Sequence, residues 1–277
     1  MEQKMDSVEK AQRDVFFSGF GEQYHPEIAK LAKREDGRYA IEHKENLGRI
    51  TAAHDLEFGV KAGQVFYNGQ RVTLTDNTTN QGVSQWFPAP SKITKTEGQQ
   101  LLWDTEVPRA VQKTYVEFND QAAKPEEKRI EHTVWLQLDF KHKTKHDNFR
   151  VVESPDFNMA EKLGDFVFKP QLRMPSDMGK AIETMKKGGE IEIAAQDGLP
   201  KVFISANPSR GTFHIRDEEG TLLKHDQFRT EAAKQADQAR KEGQNQGHVD
   251  NPGQTPMHRY NRNPREMSPG RSSGRHQ

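Results

Sequence analysis

The chain has no cysteine, which excludes disulfide scaffolds, thiolate zinc sites and thiol nucleophiles. Long hydrophobic runs are missing too. Nothing approaches the roughly 18 apolar residues of a membrane-spanning helix, so no membrane partner is expected. Met1 to Arg13 is polar, unlike a secretory signal, and cytoplasmic residence is the expectation. No charge sign dominates, with 41 Lys+Arg against 41 Asp+Glu. Core-forming residues are scarce: Leu, Ile, Val and Phe make 53 of 277, close to the roughly 20% below which chains tend toward disorder. Motifs that carry chemistry are absent as well. There is no Walker-type loop, no His-Glu-x-x-His, no Gly-x-Ser-x-Gly elbow, and Gly19, Gly21 and the later glycines form no dinucleotide fingerprint. The expectation is a non-enzymatic protein with no cofactor, no metal and no small-molecule substrate.

The apolar residues that are present are unevenly placed. After Thr230 only Val249 is Leu, Ile, Val or Phe, whereas the first 230 residues hold the other 52, enough for a modest core. The last 47 residues carry eight Lys/Arg against five Asp/Glu, so the body is net −3 and the tail +3. Residues 229–242 are rich in helix formers but polar all round, which predicts a solvated helical extension ending before Gly243. From Gly243 to Gln277, Gly, Pro, Asn, Gln, Ser and Arg dominate, too little apolar surface to offset chain ordering, and this basic tail is expected to be disordered.

In the body one order recurs, a short helix followed by several strands, and an α+β fold of three related helix-plus-antiparallel-sheet units in series is expected. They occupy residues 17–92, 93–170 and 171–228, after a polar segment at 1–16. In the third, Ser176 caps a helix to Lys187 with Met178, Ala181, Ile182 and Met185 on one face. Strands Glu190–Ala194, Lys201–Ala206 and Thr212–Asp217 come next. The second reads as a helix over Thr96–Trp103 and strands Lys113–Phe118, Arg129–Phe140 and Phe149–Glu153. The first reads as a helix over Pro26–Lys33 and strands Tyr39–His43, Arg49–Glu57, Gln64–Tyr67 and Gln70–Thr75, with Asn68-Gly69 as a hairpin turn between the last two.

Gly19-Phe20-Gly21, Phe66-Tyr67-Asn68 leading to Val72-Thr73-Leu74, Thr133 to Phe140, and Phe203 to Pro208 before Thr212 to Asp217 succeed one another in an order that resembles an uncharacterised domain family carried on conjugative transposons of Bacteroidetes. Some of its members precede, or are fused to, a type IA topoisomerase. The resemblance covers roughly residues 17 to 228. It implies a mobile-element setting near DNA processing or transfer, and a tail that corresponds to a linker; it transfers no catalytic residue.

Three features remain as candidate sites. Lys141, His142, Lys143, Lys145, His146 and Arg150 fall on one hairpin tip, where clustered cations suit phosphate contact or simply keep a strand edge soluble. Phe140 and Phe149 beside it suit base stacking or core packing. His142 and His146 could hold a metal only if they met in space. In the tail, Arg259, Arg262, Arg265, Arg271 and Arg275 can bind phosphate loosely, dock a partner, or serve as a solubilising linker. Trp86-Phe87 before Pro88-Ala89-Pro90 is either an exposed docking patch or a plug at a sheet end, while Trp135 reads as core. Together these features predict a binding or adaptor protein that contacts DNA through the 141–150 loop and tail. The alternative is a protein-interaction module that binds or blocks a host protein, such as a defence protein. An enzyme with an unfamiliar site would need acidic, His or Arg residues converging from different units.

Overall fold

The structure is a computed structural model and describes residues 6–118, 129–168, 172, 175–194 and 200–246. The chain divides into two units after Lys234. The first is a mixed α/β body with three small antiparallel sheets.

Helix α1 (Ser7–Val15) starts at Asp6, whose carboxylate accepts from the Val8 amide. Its Val8, Ala11 and Val15 recur at helical spacing and pack into the core. The segment expected to be merely polar is therefore an amphipathic helix against the first sheet; one small apolar residue per turn keeps its mean polarity high. A π-helical turn, Phe16–Phe20, comes next, with Gly19 at φ 90°. It turns Phe20 inward and leaves Phe16 and Phe17 outside.

After α2 (His25–Leu31), strands β1 (Gly37–Leu47), β2 (Ile50–Lys61), β3 (Gln64–Asp76) and β4 (Gly82–Pro88) form a meander in the order β1-β2-β3-β4. On β2, Ala52, His54, Leu56, Phe58 and Val60 all point inward, as the two-residue period of a strand requires. The expected turn at Asn68-Gly69 is not there. The β2–β3 turn is Ala62-Gly63, both at positive φ. Asn68-Gly69 is instead a bulge within β3: Glu57 pairs with Gly69 and Phe58 with Tyr67, leaving Asn68 without a partner. Gly69 sits at φ 140°, and a Cβ there would collide with the Phe87 carbonyl of β4. The same positive-φ preference serves a turn or a bulge.

Thr94 and Glu97 form a capping box at α3 (Lys95–Leu102). Strands β5 (Ala110–Phe118), β6 (Arg129–Lys143) and β7 (Phe149–Pro155) make the second sheet. The third, ordered β10-β9-β8, contains β8 (Ile191–Ile193), β9 (Val202–Asn207) and β10 (Thr212–Arg216), preceded by α4 (Met159–Leu163) and α5 (Pro175–Lys186). Helix α4, only five residues long, is too short to show a periodicity in the sequence. Helix α6 (Glu231–Gln246) runs through Gly243 rather than stopping before it. Residues 247–277, expected to be disordered, lie outside the described residues. Among the described residues no helix is long and apolar enough to cross a membrane.

The middle sheet contributes to a core on each face. Trp135 and Ala110 join Met159, Phe166, Phe213 and the third sheet in one cluster. Val111, Leu136 and Leu138 face the other way, into a cluster with Ala52, Val72, Phe87 and α3. The three sheets thus share cores and are not independent beads. A buried ion network closes the seam between the second and third sheets. Arg109 pairs with Glu190, and Arg216 with Asp104, while Arg216 Nη2 also stands 3.1 Å from Glu190. Burial pushes the Asp104 carboxyl up, but the Val107 and Glu106 amides and Arg216 outweigh it, so its pKa falls below the usual range.

Candidate nucleic-acid interface

The β6–β7 turn places the expected cations on one tip. Thr144 N–H donates to the Asn148 carbonyl at 2.7 Å, and Asp147 takes a left-handed φ of 61° to close the loop. Lys141, His142, Lys143, Lys145 and Arg150 are exposed. Two of these side chains are already engaged: Lys143 reaches Asp147 at 2.7 Å, and His142 Nδ1 lies 2.6 Å from Asp139. No carboxylate among the described residues lies within ion-pair distance of Lys141, Lys145 or Arg150. Phe140 and Phe149 pack edge to face at 4.7 Å against the inner core, so they are packing residues. His142 is bonded to Asp139, whereas His146 lines a cleft that His142 does not.

That cleft is where two of the sequence candidates meet. The tip is clamped to the open edge of β4. The Trp86 amide donates to Asn148 Oδ1 at 3.2 Å, and the Phe149 amide donates to Gln85 Oε1 at 2.8 Å. The clamp leaves a recess of about 450 Å³ lined by Arg38, Glu57, Asn68, Arg71, Trp86, His146 and Asn148. Arg71 is the cross-strand neighbour of Trp86, so a guanidinium and a partly exposed indole stand side by side. Neither Arg38 nor Arg71 has a carboxylate within ion-pair distance among the described residues. Glu57 is the one acid in the lining. Arginines reading phosphate beside an aromatic platform are the elements of nucleic-acid contact.

The other candidates fall elsewhere. Phe87 is 4% exposed and belongs to the core, because residues 86 and 87 of a strand point to opposite faces; only Trp86 reaches the surface. Trp135 is fully buried, its indole N–H donating to Asp156 at 2.9 Å. Arg259, Arg262, Arg265, Arg271 and Arg275 lie outside the described residues.

Sequence reasoning missed a buried polar stripe across the inner face of the first sheet. His43 and His54 are cross-strand partners, with the Phe20 ring edge-on to both. Gln70 Nε2 donates to the Ile93 carbonyl at 2.8 Å, which turns its oxygen to His54 Nδ1 at 2.9 Å. His54 Nε2 then accepts from Gln99 at 3.0 Å, and Gln99 also donates to Glu45. Lys95 closes the end on Glu45 at 3.1 Å, and the Tyr24 hydroxyl meets His43 Nδ1 at 2.7 Å. Burial lowers the His54 pKa to about 4. Burial raises Glu45, but hydrogen bonds from Gln99 and Lys95 bring it below its ordinary value. The available signal was a histidine at an inward position between Ala52 and Leu56.

Among the described residues no group of His, Asp or Glu is arranged to hold a metal ion. Compared with protein-family models, with curated proteins and with solved structures, the chain has no significant match.

Proposed function

We propose that this chain is a non-enzymatic binding or adaptor protein that contacts DNA at the cleft between the β6–β7 tip and Trp86, in the cytoplasm, in the setting of a mobile element suggested by its sequence motifs. The observation that carries this reading is the meeting of Arg38, Arg71, Trp86 and His146, drawn from β1, β3, β4 and the β6–β7 turn, in one recess, with His146 on the hairpin that also carries the exposed Lys141, Lys145 and Arg150. The basic tail adds a second, looser phosphate contact. The recurring order of helix then antiparallel meander supports the further reading that the three blocks descend from one duplicated unit, with the shared cores arising on fusion.

Fluorescence anisotropy with labelled oligonucleotides over a salt series tests the function. About four phosphate contacts give a log-log salt slope of about −3 on single strands. Arg38→Ala with Arg71→Ala should weaken binding and flatten the slope, and removing residues 247–277 should flatten it further. Binding without salt dependence, or binding indifferent to these changes, refutes the reading. A second reading, a protein-interaction module that binds a host protein, is favoured by β7, an edge strand with Val151 and Val152 exposed, a form that invites strand addition. It predicts association insensitive to salt and lost on Val152→Lys.

A further inference from the structure

We infer that the interface is built for single-stranded nucleic acid, along a path that leaves the Trp86 cleft at Asn68 and continues into a neighbouring aromatic cleft. This rests on the DNA-binding reading and specifies its ligand. Asn68, the unpaired bulge residue of β3, lines both recesses. The second has a volume of about 770 Å³ and is walled by Phe17 and Phe66, which are 70% and 47% exposed. Lys10 and Lys92 also line it, neither with a carboxylate in ion-pair distance among the described residues; Asp14 is its one acid.

The bulge makes the path continuous. It shifts the parity of β3, so that Val65 and Tyr67 point inward before it and Gln70, Val72 and Leu74 after it. Phe66, Asn68 and Arg71 are thereby left in one outward row, with Trp86 opposite Arg71. From Phe66 to Arg71 is about 15 Å of strand, the span of about four nucleotides at roughly 3.4 Å per step. Arg38, Arg71 and Trp86 at one end of the row and Lys10, Lys92, Phe17 and Phe66 at the other put cations and accessible rings at both ends, the pattern that tracks a backbone while stacking bases of any sequence. A duplex keeps its base faces stacked inside and would offer these rings nothing. The net −3 of the body likewise disfavours a duplex laid across a broad surface.

The test is anisotropy on labelled oligo-dT of about 2, 6 and 12 nucleotides, the shortest able to occupy one cleft only, and on a duplex of the longest length. Three proteins are compared: the wild-type chain, Arg38→Ala/Arg71→Ala/Trp86→Ala, and Phe17→Ala/Phe66→Ala. All five side chains reach the surface, and unchanged thermal melts verify the fold. The wild-type protein should bind longer strands more tightly until both clefts are filled, and the duplex at least about 10-fold more weakly. Phe17→Ala/Phe66→Ala should cost the long strand about 10-fold or more and the shortest strand little. If that variant binds the long strand as the wild type does while the first-cleft variant fails, the path is wrong, the DNA reading survives, and Phe17 and Phe66 belong to a protein partner. Equal affinity for duplex also overturns the path. If no oligonucleotide binds, or neither variant matters, the DNA reading itself falls.

Discussion

Lowering the pH from 7 to 5 should cost the protein about 2 kcal/mol of stability through one side chain, His54. The ring is fully buried, and its surroundings fix it as neutral. Ile93 offers a carbonyl, so Gln70 must donate there and turn its oxygen to His54 Nδ1, which therefore carries the proton. Glu45 offers a carboxylate, so Gln99 must donate there, and its amide hydrogens also face His54 Nε2. A second ring proton would meet those hydrogens head on, in a buried site. Burial accordingly lowers the pKa from 6.5 to about 4. The folded state refuses a proton that the unfolded chain takes up below pH 6.5. His54's contribution is complete above 6.5, falls by about 1.4 kcal/mol per pH unit between 6.5 and 4, and changes no further below.

Integrated from pH 7 to 5, this gives the loss of about 2 kcal/mol, or roughly 4–8 °C in Tm for a body of this size. His214, also lowered to about 4 by burial and by Arg216 beside it, adds its own slope, so the diagnostic quantity is a difference. Thermal or urea unfolding at pH 7, 6 and 5 should show the gap between wild type and His54→Gln narrowing by about 2 kcal/mol, because glutamine has no proton to gain. Parallel stability curves for the two proteins, or an NMR titration of His54 with a midpoint above 6, would refute the directional hydrogen-bond chain.

Gly69→Ala should lose at least about 2 kcal/mol, since its Cβ meets the Phe87 carbonyl and backbone atoms of Pro88 and Ala89; an unchanged melting temperature would disprove the bulge. Arg216→Ala should destabilise by about 3 kcal/mol by leaving Asp104 without its cation and Glu190 with Arg109 alone. A double-mutant cycle with Asp104→Ala should return a coupling above about 1 kcal/mol, and additive effects would dissolve the network. Ala11→Asp places a charge under α1 and should cost about 3 kcal/mol with faster proteolysis near residue 16. A polar segment that does not belong to the fold would tolerate it.

What was legible in the sequence was local, and what was not required pairing partners. The helix face of Met178, Ala181, Ile182 and Met185 and the strands over Lys201–Ala206 and Thr212–Asp217 each depend on residues within a few positions, and they were readable. Asn68-Gly69 was readable as a site of positive φ, but a turn and a bulge place the same demand on glycine. Only the approach of β4 distinguishes them. The Lys141–Arg150 tip and Trp86 were each visible alone, yet 62 residues separate Trp86 from Asn148, and nothing local brings them together. The polar stripe was hidden for the same reason and has a structural role of its own. On one face of β2 it divides the apolar cluster around Phe58 from the one around Ala52 and Val72. A slip of one residue between β1 and β2 would break the His43–His54 pairing and turn buried donors toward hydrocarbon, a cost that two apolar clusters alone would not impose. Gln70 on β3 bonds His54 on β2, so the stripe likewise opposes a slip of the strand whose bulge sets Phe66, Asn68 and Arg71 in one outward row, and the proposed interface depends on polar groups it never touches.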